Sequence, residues 1–287
     1  MAANIDNFGI PKSKTLKTKC KELQKATDYR IDSEKPILVH LDGRTFSSLI
    51  KTKFKRPFDD DFIRLMNETA RYLCDEIDGV RIAYVQSDEI SLLITKENPK
   101  SNIIFGGRLC KMQSIFASLA TSKFNQLAHH YYMKNYIECV GVENLSSDKL
   151  ADFTLELPLY QFDCKVWNVD TMNEVMAWFL YRNIDCTRNS REGAAQYYLP
   201  HKELEGLTTQ EQIALLLEKK NIDWNQYPEG SKYGRFIHKI IVNKSVTFKD
   251  KKTNKEVTTE CVRGEWIISD GLDLTFRENR NKFMDLM

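Results

Sequence analysis

Asp42 closes a short apolar run, Ile37-Leu38-Val39 with Leu41, and is followed by Gly43-Arg44. A second pair of acids, Asp88 and Glu89, belongs to the turn signal Gln86-Ser87-Asp88-Glu89 between two segments of alternating hydrophobicity. If the first run pairs beside that hairpin, these carboxylates converge on one sheet edge. Convergent carboxylates suit two-metal phosphoryl transfer. Each Mg²⁺ takes octahedral oxygen ligands and keeps several of them from phosphates and water. One ion lowers the pKa of the attacking oxygen, and the other neutralises the leaving pyrophosphate. Gly43 lets the backbone approach a triphosphate, and the amides of Gly43, Arg44, Thr45 and Phe46 form a candidate anion nest. Asp88-Glu89 suits a solvated hairpin turn equally well, and residue type alone does not separate the two readings.

The elements that must position these acids follow from periodicity. Ile37-Leu38-Val39 reads as a buried strand. Phe62, Leu65, Met66, Thr69, Leu73 and Ile77 recur at helical spacing, with Asp59 to Asp61 as cap candidates and Gly79 as terminator. Val80, Ile82 and Tyr84, then Ile90, Leu92 and Ile94, alternate as two strands. A long helix is expected after Phe105-Gly106-Gly107, and a fourth strand over 165–169. Further helices are expected over 174–181 and 209–220. The last ~45 residues read as strand-rich, with a charged turn over 249–255. The order strand, helix, strand, strand, helix, strand predicts an α+β fold. This is the split βαβ (ferredoxin-like) antiparallel sheet with helices on one face. No linker interrupts it, so one unit over 1–287 is expected, with a core over about 30–170 and a helical and β extension over about 171–287.

The chain has 287 residues, 42 Lys+Arg against 40 Asp+Glu, 42% hydrophobic and 29% charged residues. That composition excludes intrinsic disorder as the main state, and no apolar run is long enough to span a membrane. A formal charge of +2 speaks against a nucleic-acid binder held by bulk charge, though a net sum hides local patches. The seven cysteines are scattered, with no CxxC, which fits a reducing, cytoplasmic setting better than a disulfide or zinc framework. The basic stretch Lys12, Lys14, Lys17, Lys19, Lys21 and Lys25 leaves organelle import open, beside a solvated helix face or an arm near RNA. His129-His130 lacks a third ligand at zinc spacing. Cys186 reads as a buried thiol, and Trp178, Phe179 and Tyr181 as core or subunit contacts.

Leu41-Asp42-Gly43-Arg44-Thr45-Phe46 followed by Gln86-Ser87-Asp88-Glu89-Ile90-Ser91 resembles the paired signatures of the tRNA-His guanylyltransferase superfamily. The resemblance continues through Phe105-Gly106-Gly107-Arg108 with Lys111, Phe162-Asp163, Asp185-Cys186-Thr187-Arg188-Asn189-Ser190, Trp224-Asn225 and Arg263-Gly264. It covers roughly residues 16–287. It implies a polymerase-palm-like core that adds nucleotides to the 5′ end of a tRNA. ATP or GTP first activates the 5′-monophosphate. The 3′-hydroxyl of a nucleoside triphosphate then attacks and pyrophosphate leaves. Carried over residue by residue, Asp42 and Asp88 ligate two Mg²⁺ with the Gly43 carbonyl, and Glu89 is a third catalytic acid. Ser87, Arg108 and Lys111 meet triphosphate oxygens; Arg56 and Asp59 lie near the nucleotide. Asp185, Arg188 and Asn189 lie near the RNA 5′ end. A homo-tetramer is implied by the same analogy.

The stretch 186–190 lacks the His of the enzymes that mark tRNA-His, which resembles the guanylyltransferase-like branch that repairs 5′-truncated tRNAs. Repair is therefore the expected activity, with addition of G(-1) to tRNA-His as the alternative. His40, Ser47, Arg56 and Tyr181-Arg182-Asn183 also depart from the usual pattern. A palm-type nucleotide cyclase and a non-catalytic tRNA-binding protein remain as further alternatives. The basic stretch with Arg188-Asn189-Ser190 speaks against the cyclase, and the intact acids against the non-catalytic protein.

Overall fold

The computed structural model describes residues 9, 16–96, 98, 100–249, 251 and 254–287. Ile37, Leu38, Val39 and Leu41 are each fully buried. A strand with successive buried residues needs cover on both of its faces. These residues form β1 (Ile37–Gly43), after the short helix α1 (Leu16–Lys25). Lys12 and Lys14 of the basic stretch lie outside the described residues. Next come α2 (Phe46–Lys53) and α3 (Asp60–Glu76). Asp59 caps α3, accepting a hydrogen bond from the Phe62 N–H at 2.9 Å. The expected apolar stripe of α3 is buried.

β2 (Val80–Gln86) and β3 (Glu89–Ile94) form the expected hairpin. Gln86 pairs with Glu89, so the loop is two residues, Ser87-Asp88. Ser87 sits at φ 44°, the left-handed conformation that tight hairpin turns demand. The long helix α4 (Leu109–Val140), α5 (Ser147–Glu156) and β4 (Phe162–Asn168) follow. After them come α6 (Met172–Tyr198), α7 (His201–Leu204), α8 (Thr209–Lys220) and α9 (Glu229–Tyr233). The chain ends in β5 (Arg235–Lys249), β6 (Glu256–Asp270) and α10 (Arg277–Asp285). Residues 250, 252 and 253 of the charged turn lie outside the described residues.

Among the described residues, six strands form one antiparallel sheet in the order β4-β1-β3-β2-β5-β6. Its first four strands have the order expected of a split βαβ core. The expectation of helices on one face needs correction. Ile37, Val39 and Leu41 pack with Leu65 and Met66 of α3 and Met112 and Phe116 of α4. Leu38, Ile82 and Tyr84 point the other way, onto Val175 and Phe179 of α6 and Phe283 of α10. The continuous apolar run in β1 needs this double cover.

Helix α6 runs well past the expected 174–181. Its start is a capping box, Thr171 with Glu174. Its buried residues Val175, Phe179, Arg182, Asn183, Cys186, Ser190 and Ala194 recur three or four apart. Polar residues hold several of those inward positions, so hydrophobic periodicity does not show the helix. The segment 186–190 is therefore mid-helix. A satellite core of Ala194, Ala195, Leu199, Leu204, Leu216 and Trp224 anchors its far end.

Candidate active site

Register assembles the acids. Asp42 pairs directly with Glu89 on β3 and with Asp163 on β4. Residues directly opposite on antiparallel neighbours share a face, so three carboxylates stand in a row across three strands. Asp88 occupies the turn beside them, and its carbonyl accepts from the Gly43 N–H at 3.1 Å, which ties the hairpin to the end of β1. In the sequence Asp163 carries no signal beyond the pair Phe162-Asp163. Its place beside Asp42 comes from strand pairing 121 positions away in the chain.

The electrostatics follow from crowding acids in a partly dry place. Burial raises the Asp42 carboxyl, with Asp163 adding to it and Lys165 and Arg182 opposing. Burial pushes Asp88 up to about 6; the Ser87 hydroxyl and the Asp88 backbone amide work against this, and Asp42 and Glu89 add to it. Burial also raises Glu89, against Arg182 and Gln86. Each shift favours a bound cation that would offset the negative charge. Among the described residues no group of three or more His, Cys, Asp or Glu is pre-assembled around one metal position. Mg²⁺ does not require one, since it binds through one or two carboxylates plus phosphates and water. The hard, all-oxygen pair Asp42 and Asp88 fits that mode.

Glu89 is already engaged. Arg182 on α6 ion-pairs with it and, through the same Nη2, with Asp185 at 3.2 Å. Arg188 pairs with Asp185 as well. The Arg182 guanidinium lies 5.2 Å from the Tyr181 ring and 5.9 Å from that of Trp178. The Arg182 side chain is 7% exposed, and its Nε is buried with no partner among the described residues. Sequence reasoning noted Arg182 only as part of a motif. A cation at a helical inward position, opposite an acid strand, was the available signal.

A cleft of about 330 Å³ opens at Asp88, bounded by the 55–59 loop, the β2–β3 turn and α6, while Asp42, Glu89 and Asp163 stand behind the turn and do not line it. It brings together Arg56, Asp59, Ser87, Asp88 and Asn189 of the expected site. Asp59 uses both oxygens, accepting from Phe62 N–H at 2.9 Å and Lys55 N–H at 2.8 Å, so it shapes the cleft wall as a cap. The Arg56 guanidinium lies 5.5 Å from the Tyr197 ring, and Phe58 meets Tyr227 edge-on at 4.9 Å. These contacts fasten the loop to the C-terminal half of the chain.

Other expected residues lie elsewhere. Arg44 and Thr45 line a separate groove with Tyr160 and Gln161, where Arg44 Nη1 donates to Gln161 Oε1 at 3.1 Å. The Phe46 ring is buried against Phe62, Phe124, Tyr160 and Phe162. A Cβ on Gly43 would come within 2.6 Å of that ring, so close packing is what requires the glycine. Arg108 precedes α4 and bridges to Arg30. Lys111 rests its ammonium 4.7 Å from the Phe105 ring centre. Neither lines the cleft.

A family model described as tRNAHis guanylyltransferase matches residues 17–170, which contain both acid motifs. The chain belongs to the tRNA-His guanylyltransferase family. It is therefore a member of a family of nucleotidyltransferases. An uncharacterised mimivirus protein is 28% identical over 252 residues, covering 83% of this chain and 80% of that one. The Dictyostelium discoideum protein named probable tRNA(His) guanylyltransferase is 27% identical, covering 77% and 78%. A bacterial tRNA(His) guanylyltransferase-like protein solved with ATP superposes with a TM-score of 0.73 at 26% identity, covering 95% of this chain and 98% of that one. The Saccharomyces cerevisiae tRNA(His) guanylyltransferase shares the fold, with a TM-score of 0.58 at 22% identity and 75% and 90% coverage. None of the described helices is long and apolar enough to cross a membrane.

Proposed function

We propose that this chain transfers a guanylyl group to the 5′ end of tRNA-His, using a nucleoside triphosphate and two Mg²⁺. The observation that carries nucleotidyl transfer is the register of Asp42 with its neighbouring acids, tied through the Gly43–Asp88 hydrogen bond to a turn that lines a cleft with Ser87 and Arg56. Support for guanylyl addition in particular comes from the curated relatives, several of which are named tRNA(His) guanylyltransferase.

Asp42 and Asp88, with the Gly43 carbonyl, would hold the ions, which supply charge neutralisation at the triphosphate and acidify the attacking hydroxyl. Ser87 and Arg56 orient phosphate oxygens from the cleft wall. An Arg suits this because its planar fork matches a phosphate edge. Glu89 is held by Arg182 and contributes negative potential at the acid row. Arg108 and Lys111 lie apart from the cleft and suit a second phosphate group, that of the RNA 5′ end. Arg188 and Asn189 are exposed on α6 and suit the RNA backbone, while Asp185 holds the two arginines in place.

Repair of 5′-truncated tRNA stands as a second reading. It is favoured by the missing His in Cys186-Thr187-Arg188-Asn189-Ser190 and by the superposition on the bacterial guanylyltransferase-like protein. One assay decides. The full chain is incubated with Mg²⁺, ATP, labelled GTP, and either 5′-monophosphorylated tRNA-His or a tRNA lacking its first nucleotide. One added G on full-length tRNA-His supports the main reading. Templated extension of the truncated tRNA alone supports repair. Cyclic nucleotide formed without RNA, or RNA binding without extension, overturns both.

A further inference from the structure

Among the aromatic residues of α6, Phe179 is fully buried and Tyr181 is 55% exposed, so the expectation of a core contact holds for the first and fails for the second. Two neighbours touch the Tyr181 ring. The Arg182 guanidinium lies 5.2 Å from its centre, and the Trp178 ring meets it tilted at 5.8 Å. Both neighbours are themselves fixed. Arg182 is ion-paired with Glu89 and Asp185. Trp178 Nε1 donates to Ser91 Oγ at 3.3 Å, and its ring meets Trp167 edge-on at 4.7 Å. A lone exposed apolar residue needs no explanation, but a ring clamped in one orientation with most of its residue in water does.

The two flanks of α6 face different parts of the sheet. Phe179 packs on Tyr84 of β2, and Asn183 Nδ2 donates to the Tyr233 carbonyl just ahead of β5 at 3.0 Å. Trp178 and Arg182 instead reach His40 of β1, Trp167 of β4 and Glu89 of β3. Tyr181, Asp185 and Arg188 continue this second flank from Trp178, because residues three or four apart are neighbours on a helix. The cleft is lined by Ser87 and Asp88 of the β2–β3 turn and by Arg235 of β5. In the sheet order β4-β1-β3-β2-β5, the acid row spans the first three strands. It therefore has the cleft on its β2–β5 side and the Tyr181–Arg188 flank on its β4 side.

We propose that Tyr181 is a stacking platform for an unpaired base of the RNA, in the single-stranded 3′ tail that lies beside the 5′ end. This rests on the proposed transfer to a tRNA 5′ end. With that end at the acid row and the triphosphate in the cleft, the rest of the RNA leaves on the β4 side. Bases of the paired stem are already stacked on their neighbours. Those of the tail can be splayed out and stacked on an aromatic side chain. Arg188 stands two helical turns, about 10 Å, further along the same flank. Its side chain is 56% exposed and supplies the phosphate contact that a single strand brings with its bases. The clamp from Arg182 and Trp178 pre-orders the ring, so little ordering is left to be done on binding.

The test is RNA binding to the full chain, with two 5′-monophosphorylated hairpins that share a stem. One is blunt and the other has a short unpaired 3′ tail. The tailed hairpin should bind at least about fivefold more tightly, the usual worth of one stacked base. In Tyr181→Ala that advantage should shrink toward equality. Tyr181→Phe should keep it, since stacking uses the ring and not the hydroxyl, whereas a purely structural role would weaken both hairpins alike. A 2-aminopurine in the tail should lose fluorescence on binding to the unaltered chain and to Tyr181→Phe. Equal binding of the two hairpins by the unaltered chain, or an unquenched 2-aminopurine, overturns the platform alone. Failure of both hairpins to bind overturns the tRNA reading and this one with it. A Tyr181→Ala chain that keeps the tail advantage but forms a smaller assembly by light scattering makes Tyr181 a subunit contact and overturns the platform. Should Tyr181→Ala fail to fold, Tyr181→Leu, apolar and without a ring, takes its place in the same comparison.

Discussion

The guanidinium of Arg182 on α6 is ion-paired with Glu89 on β3, 93 positions earlier in the chain. The pair joins the helix covering one face of the sheet to the strand that carries the acid row. Both partners are largely out of water, and Asp185 shares the same guanidinium nitrogen.

Removing the cation from this pair should be costly. Arg182→Met leaves Glu89 largely buried without its cation, while Asp185 keeps Arg188, and breaking a buried pair in this way costs about 3 kcal/mol or more. Urea unfolding should show that loss in the single variant. The double variant Arg182→Met with Glu89→Gln should recover a large part of it. Additive losses would show that the two residues do not act as a pair.

Asp88 makes stability fall as pH rises through the weakly acid range. Its carboxyl is raised from 3.8 to about 6, mainly by burial. Between those values the folded chain keeps a proton that the unfolded chain has released. The folded state therefore binds more protons, and raising pH through that window destabilises it. A shift of this size corresponds to roughly 2–3 kcal/mol at neutral pH. Asp88→Asn should accordingly raise the unfolding free energy by about 2 kcal/mol at pH 7 and leave it unchanged below about pH 4. A gain of equal size at both pH values would point to some other cause.

The same crowding predicts a response to divalent cations. Mg²⁺ binding only to the folded chain stabilises it by mass action, by about 2.7 kcal/mol at a hundred times its dissociation constant. A rise in Tm with Mg²⁺ at neutral pH should be absent from Asp42→Ala and from Asp88→Ala. Nucleotide transfer to tRNA should fall at least about 100-fold in both variants while each remains folded. Retained transfer in either one would remove that acid from the proposed chemistry.

Phe46 should behave as a packing residue. Its ring is 1% exposed and touches four other aromatic rings. Phe46→Ala should cost about 3–5 kcal/mol, the usual range for emptying such a site. Phe46→Leu should cost less and leave the affinity for GTP within about twofold of the original chain. Selective loss of GTP affinity in a well-folded Phe46→Leu protein would show that the ring contacts the nucleotide.

Binding of tRNA should depend on salt without being dominated by it. The net charge is +2, while Arg108, Lys111 and Arg188 are exposed local cations. A shallow negative slope of log affinity against log salt is expected, reflecting a few phosphate contacts. Filter binding across 50–200 mM salt measures it. A flat line, or a slope typical of ten contacts, would contradict this placement.

The amino-acid order by itself determined the split βαβ core. Hydrophobic periodicity is local, so α3, the β2–β3 hairpin and the buried β1 could all be read from a few neighbouring residues, and the Asp59 cap with them. It also marked Asp42, Asp88 and Glu89, because acids at a strand end and in a tight turn leave a local signature. The length of α6 was hidden, since inward positions such as Arg182, Asn183 and Ser190 are polar and break the apolar pattern. Strand register, a long-range property, alone decided that Asp163 stands beside Asp42. Packing of α6 onto the second face of the sheet alone decided that Arg182 meets Glu89. Only the folded chain separated Phe46 and Arg44 from the cleft and brought Arg235 to its wall. The segments that line it are distant in the chain, and their meeting depends on how β2, β5 and α6 close around a shared space.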